Sequence, residues 1–191
     1  MKVGVLALQG AFKLHVQALE RLGVEALEVR SLENFEASEA LIIPGGESTT
    51  MSFLLESSGI FEALHERSIN GMPILGTCAG MILLSSKITD GRNDQKPLKL
   101  IDIEVRRNGY GRQIDSFESD LMIEGFKDFF KGVFIRAPLV ESVGEKVDVL
   151  AELNGQPIMC RQESTIVTSF HPELADDDRI HAEFLEMVSN S

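Results

Sequence analysis

Residues 2–8 form a short, nearly unbroken apolar run, and Phe12, Val16, Leu19 and Leu22 then recur at helical spacing before Gly23 offers a stop. The pattern predicts a strand followed by a helix. Residues 25–29 and 40–43 repeat the strand signal, and the second run ends at Pro44-Gly45-Gly46, ahead of a Ser/Thr-rich helix start at residues 48–50. Residues 72–75 make a fourth buried run, after which the chain turns through residues 76–80 into the apolar segment 81–84. Four parallel strands are expected by residue 75.

Beyond the polar stretch 91–96, strand signals recur at residues 100–105, 133–135, 147–153, 157–160 and 166–170 with few helix signals between them, so part of this half is expected to be antiparallel. Residues 177–188 close the chain with an acidic first turn and apolar Ile180, Phe184 and Met187 at helical spacing. No internal repeat or low-complexity tract is visible. The expectation is one α/β domain over residues 1–191: three layers (α/β/α), a mostly parallel central sheet, and a mixed or antiparallel second half, flavodoxin-like in outline. A ligand would bind beyond the carboxyl ends of the strands.

Composition narrows the function classes. With 43% hydrophobic and 25% charged residues in 191, the chain has the make-up of an ordinary globular protein. A net charge of −12 repels phosphate backbones and anionic lipid, so neither nucleic acid nor a membrane surface is an expected partner. The longest apolar stretch, 72–84, is interrupted by Pro73, Gly76 and Gly80 and falls short of the ~20 residues that span a bilayer. Two cysteines, Cys78 and Cys160, make no disulfide framework and no zinc-type spacing, which fits a reducing cytoplasm.

Gly76-Thr77-Cys78-Ala79-Gly80 has the form of a nucleophile elbow with cysteine at its apex. The pentapeptide alone reads equally well as a small buried cysteine at a packing turn. A thiolate nucleophile needs a base, and His171 in Ser169-Phe170-His171-Pro172-Glu173 is the best candidate. Pro172 biases His171 toward extended backbone, where residues two apart project to the same side and Glu173 can orient the ring. The remaining histidines, His15, His65 and His181, stand among charged neighbours and are expected at solvated helix surfaces without a catalytic role. The Pro44-Gly45-Gly46-Glu47-Ser48 turn makes the amide of Gly46, with that of Ala79, the candidate oxyanion-hole donors. An ordinary strand-to-helix turn that merely needs glycine is the plainer alternative.

Val5-Leu6-Ala7-Leu8-Gln9-Gly10-Ala11, residues 44–50 and 76–80, Asn108 with Gly111-Arg112-Gln113-Ile114-Asp115-Ser116-Phe117-Glu118, and residues 132–138 and 169–174 together resemble the glutaminase subunits of pyridoxal 5′-phosphate synthase, a branch of the class I glutamine amidotransferases. The resemblance covers nearly the whole chain. The elbow and the His-Pro-Glu segment are shared by class I amidotransferases generally, whereas Gly-Arg-Gln-x-Asp-Ser-Phe-Glu and Val-Phe-Ile-Arg-Ala-Pro point to this branch. Leu14 and Asn108-Gly109-Tyr110-Gly111 depart from the usual pattern.

The resemblance implies hydrolysis of L-glutamine to glutamate and ammonia by a Cys78-His171-Glu173 triad, with no metal or other cofactor. It maps the glutamine contacts to Gly46, Glu47, Ser48, Arg107, Ile135 and Arg136. It also implies a partner, the (β/α)8-barrel synthase subunit that joins the ammonia to a pentose phosphate and a triose phosphate, and a glutaminase that stays weak until docked. Three rivals remain: the glutaminase subunit of another amidotransferase such as imidazole glycerol phosphate synthase, a non-catalytic glutamine-sensing module, and a standalone cysteine hydrolase.

Overall fold

The computed structural model describes residues 1–109 and 116–191. Its first half runs β1 (Lys2–Leu6), α1 (Phe12–Arg21), β2 (Glu25–Val29), α2 (Leu32–Glu36), β3 (Ala40–Ile43), α3 (Ser48–Ser57), α4 (Ile60–Ile69), β4 (Ile74–Thr77) and α5 (Ala79–Leu84). The second half adds β5 (Ser85–Ile88), β6 (Ile101–Arg106), β7 (Ser116–Leu121), β8 (Phe130–Ile135), β9 (Leu139–Val143), β10 (Asp148–Leu153), β11 (Gln156–Gln162), β12 (Thr165–Thr168), a 3-10 turn at Pro172–Leu174 and α6 (Arg179–Ser189). Tyr110 and residues 111–115, part of the segment quoted for the family resemblance, lie outside the described residues.

The central sheet has the order β10-β11-β12-β4-β3-β1-β2. Neighbours from β12 to β2 pair in parallel, and β11 and β10 add an antiparallel edge. The expected α/β layout with a mostly parallel sheet and a partly antiparallel second half is therefore what the chain adopts. Continuous apolar runs serve as strands here because both faces of a parallel sheet are covered. Val3, Val5, Ala40, Ile42 and Leu75 bury against α1 and α6 through Leu19, Ile180 and Phe184. The alternate residues Leu6, Leu41, Ile43 and Ile74 bury against α3 and α4 through Met51, Leu55, Ile60 and Leu64.

Asn154 and Gly155, both at positive φ, make the tight β10–β11 turn, the geometry that a two-residue hairpin requires. Two smaller sheets, β5-β6-β9 and β7-β8, stand beside the central one. Their short or polar strands β5, β7 and β9 escape the pattern reading, as do α2 and α4. Among the described residues no helix is long and apolar enough to cross a membrane.

The register sets up the site. Val5 pairs with Ile42, Ile43 with Gly76, and Thr77 with Thr168, so β1, β3, β4 and β12 end at nearly one level. Residues 8–11, 44–48, 78 and 169–171 consequently converge beyond the same sheet edge.

Candidate active site

Cys78 caps the N-terminus of α5 with φ 50° and ψ −100°, a left-handed conformation for a non-glycine residue that costs about 1–3 kcal/mol. The surroundings hold it there. Its N–H donates to the Thr168 carbonyl at 2.8 Å, and its carbonyl accepts the first turn of α5 from Ile82 at 3.2 Å. The flanking glycines are steric necessities. A β-carbon at Gly80 would lie 2.2 Å from the Ile43 carbonyl oxygen, and one at Gly76 would lie 2.4 Å from Leu84 Cδ1.

His171 follows β12, and its N–H donates to the Val133 carbonyl at 2.8 Å. Its ring shares the cleft with Cys78 and, through Nδ1, hydrogen-bonds with Glu173 Oε1 at 2.8 Å. Burial by itself would lower the imidazole pKa, but hydrogen bonding and the negative charge of Glu173 and Cys78 override it and raise the value to about 10. Burial would likewise push the Glu173 carboxyl up, yet the His15 and His171 rings hold it below its ordinary range. The expected extended segment is not what brings the acid to the base. Glu173 reaches the ring from within the 3-10 turn Pro172–Leu174. A tight turn brings i and i+2 together as effectively as a pleat does.

The cleft, about 480 Å³, is lined by Cys78, His171, Gly46, Glu47, Ser48, Arg107, Ile135 and Arg136 among others. Those are the predicted nucleophile and base and every predicted substrate contact. Ala79 and Glu173 sit behind its wall, the first as the opening residue of α5. The Gly45 carbonyl accepts from Ala11 N–H at 3.1 Å, which fixes the plane of the peptide carrying the Gly46 N–H. The Glu47 carboxylate is engaged as the N-cap of α3, accepting from Thr49 N–H at 3.1 Å and Thr50 N–H at 2.8 Å, and these bonds outweigh burial to lower its pKa. Ser48 opens the helix as expected, with Glu47 rather than a serine or threonine as its cap.

Arg107 is held at the rim by Thr49 Oγ1 at 2.9 Å and by Asp90, whose carboxylate accepts the Arg107 backbone N–H at 2.7 Å. Buried Gln95 ties the two walls together, donating to Ser48 Oγ at 3.0 Å and accepting from Arg107 at 3.4 Å. Gln9 accepts the Glu47 N–H at 2.9 Å. Sequence reasoning passed over Gln95, since a lone glutamine in a polar loop carries no pattern. Cys160, on β11, is fully buried, and desolvation raises its thiol to about 12.

The expectation for His15 and His181 is overturned. Both are fully buried, whereas His65 is partly exposed as expected. His15 Nδ1 and His181 Nε2 are 2.9 Å apart, and His15 Nε2 lies 3.3 Å from Glu173 Oε2. The signal was present in the spacing. His15 shares the stripe of Phe12, Leu19 and Leu22, and His181 that of Phe184, Leu185 and Val188, so charged sequence neighbours were the wrong guide.

Known proteins point the same way. The chain matches the SNO glutamine amidotransferase family over residues 5–190. It is 50% identical over 188 residues to the pyridoxal 5′-phosphate synthase subunit PdxT of Fervidobacterium nodosum, covering 98% of this chain and 97% of that protein. It is 52% identical over 186 residues to the subunit of the same name from Mycobacteroides abscessus, covering 97% and 96%. A solved structure described as a glutamine amidotransferase superposes with a TM-score of 0.93 at 48% identity over 98% of both chains. A putative GMP synthase subunit from Thermoplasma acidophilum, at 14% identity and a TM-score of 0.70, shares the fold over 100% of this chain and 94% of that one.

Proposed function

The chain belongs to the SNO glutamine amidotransferase family, and on that premise we propose that it hydrolyses L-glutamine to glutamate through Cys78, His171 and Glu173 and passes the ammonia to the synthase subunit of pyridoxal 5′-phosphate synthase. The observation that carries the reading is Cys78 and the Glu173-bonded His171 facing one cleft lined by Gly46 and two arginines. PdxT subunits at 50% and 52% identity over nearly the full chain support this acceptor over that of imidazole glycerol phosphate synthase.

In the proposed reaction Cys78 Sγ attacks the side-chain amide carbon, and the proton of the thiol resides on His171. The amides of Gly46 and Ala79 hold the oxyanion of the tetrahedral intermediate. His171 returns the proton to the departing nitrogen, which leaves as ammonia with a γ-glutamyl thioester on Cys78. Water then attacks the thioester with His171 as base, releasing glutamate and restoring the thiol. Glu173 keeps the imidazole oriented throughout. Arg107 and Arg136 provide the positive charge that suits the substrate α-carboxylate.

Free ammonia in neutral water is largely protonated and no longer nucleophilic, which favours direct delivery to a (β/α)8 synthase partner. The test is glutamate release from glutamine with and without the synthase subunit. The expected result is turnover stimulated by that partner and abolished by Cys78→Ala with the fold retained. Turnover stimulated only by another amidotransferase's acceptor subunit, or glutamine binding without turnover in the complex, would overturn the reading.

A further inference from the structure

Glu173 Oε1 is taken by His171, but its second oxygen, Oε2, is buried without an aligned hydrogen-bond donor. A carboxylate with one oxygen left without a donor in a closed interior is costly, and whatever faces that oxygen sets how firmly the group stays ionised. The group that faces it is the His15 ring. Its Nε2 lies 3.3 Å from Glu173 Oε2 and 3.3 Å from Thr77 Oγ1, with the aligned bond on the threonine. Thr77 is the last residue of β4 and the immediate neighbour of Cys78. One imidazole from α1 thus bridges the elbow strand and the turn that carries the acid.

The two tautomers of the ring are not equivalent here. If Nε2 carried a lone pair, it would face a carboxylate oxygen across 3.3 Å and repel it. With the proton on Nε2, the N–H donates to Thr77 Oγ1, its positive end lies 3.3 Å from Glu173 Oε2, and Nδ1 becomes an acceptor. His181 Nε2, 2.9 Å away on α6, is the donor that Nδ1 then needs. His181 Nδ1 is left as a buried acceptor with no partner, which is the cheaper orphan. Outside the core the same two helices are clamped by Arg21, whose guanidinium donates to the Asp178 carboxylate at 2.7 and 2.6 Å.

We propose that His15, locked in its Nε2–H tautomer by His181, is a positioning residue that holds the Glu173 carboxylate and the Thr77–Cys78 elbow in register, so that the triad depends on a second, buried imidazole pair. The inference rests on the proposed glutaminase reading for its kinetic arm only.

His15 does not line the cleft, so its loss should act on turnover. In the complex with the synthase subunit, His15→Leu should lower kcat by roughly 10- to 100-fold, the scale of a misoriented catalytic group, with KM changed by less than about threefold. His15→Gln, which retains an amide donor, should recover most of the loss. In a Glu173→Gln background His15→Leu should have little further effect, because the carboxylate it serves is gone.

The second arm needs neither glutamine nor the partner: the pH profile of Cys78 alkylation by iodoacetamide. The charged or titratable groups in contact are His171 and His15 around Glu173 and His181 around His15, with Asp178 and Arg21 at longer range. Without the His15 dipole Glu173 takes up a proton at higher pH and ceases to support the His171 imidazolium, so the profile of His15→Leu should move to higher pH. That of His15→Gln should stay. If His15→Leu does not fold, His15→Asn, too short to face both oxygens, takes its place in both arms. A profile that superposes on wild type, or losses that multiply in the double variant, overturns the proposal. Absence of turnover in the wild-type complex would refute the glutaminase reading and leave the alkylation arm decisive for His15.

Discussion

Replacing Gly45 with alanine would place a β-carbon 2.4 Å from His171 Cε1 and 3.0 Å from Nδ1. Ordinary contact begins near 3.4 Å, so the ring must retreat by about 1 Å, a displacement that by itself can cost on the order of 100-fold in rate. Cε1 lies between the two ring nitrogens, so a push on it displaces both at once. The 2.8 Å bond to Glu173 Oε1 and the placement of the ring beside Cys78 cannot both survive. A loss of 100-fold corresponds to about 2.7 kcal/mol of transition-state stabilisation. Gly45 does not occupy the left-handed region, so alanine is tolerated by the backbone, and the clash is with a side chain at a cleft wall. Gly45→Ala is therefore expected to lower kcat by about 100-fold with KM for glutamine within about threefold and near-wild-type melting. Steady-state glutamate release in the synthase complex, with circular dichroism as the fold control, measures it. A variant with wild-type kcat would mean that the His171 position seen here is not the one that works.

Cys78→Ala removes a polar neighbour and a charge that raise His171, so an NMR titration of the ring should move from about 10 toward 6.5. A raised histidine pKa adds stability that is complete below 6.5 and lost as pH climbs through about 10, so wild type should lose more melting temperature across that window than Cys78→Ala. Equal titrations would contradict the pairing. Brief treatment of the native protein with iodoacetamide should modify Cys78 and spare Cys160, whose thiol burial raises to about 12; peptide mass spectrometry reads the sites, and equal labelling would refute the assignment. Arg107→Ala should raise KM for glutamine at least tenfold while kcat falls less, the mark of lost ground-state binding, and an unchanged KM would remove Arg107 from the substrate site. Phe170→Ala empties a fully buried position ringed by Phe130 and Phe134 and should cost about 3–5 kcal/mol in chemical denaturation; a loss under about 1 kcal/mol would mean that the core under His171 repacks freely.

The parallel half of the fold was legible because β1, β3 and β4 are buried on both faces and so read as solid apolar blocks, β3 and β4 running straight into glycine-containing turns. β5 is four residues long and opens on Ser85-Ser86-Lys87, and β7 alternates exposed and half-buried positions through Glu118-Ser119-Asp120; such strands owe their conformation to a neighbour that the sequence does not name. The helices divide in the same way. The α1 stripe is sharp, whereas α4 carries His65, Glu66 and Arg67 beside its few buried positions, Ile60 and Leu64. The site was legible for a different reason: its constraints are steric and local. An elbow needs glycines where a β-carbon would meet a carbonyl, and the acid sits two residues from the base because a proline-started turn folds it back.

What stayed hidden were the groups that act through others. Gln95 and Asp90 approach Arg107 from loops, and no periodicity marks such a residue. His15 and His181 are more instructive, because their positions on the inward stripes were readable and their chemistry was not. A histidine at a core position is stable only if some partner meets its N–H, and the groups that do so here, the Thr77 hydroxyl and the nearby Glu173 carboxylate, are brought to His15 from far along the chain by the fold. Burial holds both rings down, His181 to about 3, so they meet the carboxylate as neutral dipoles rather than as cations. Neutrality is what makes the arrangement useful. A second buried imidazolium would compete with His171 for the single negative charge of Glu173, while a fixed N–H dipole supports that charge and leaves it available to the base.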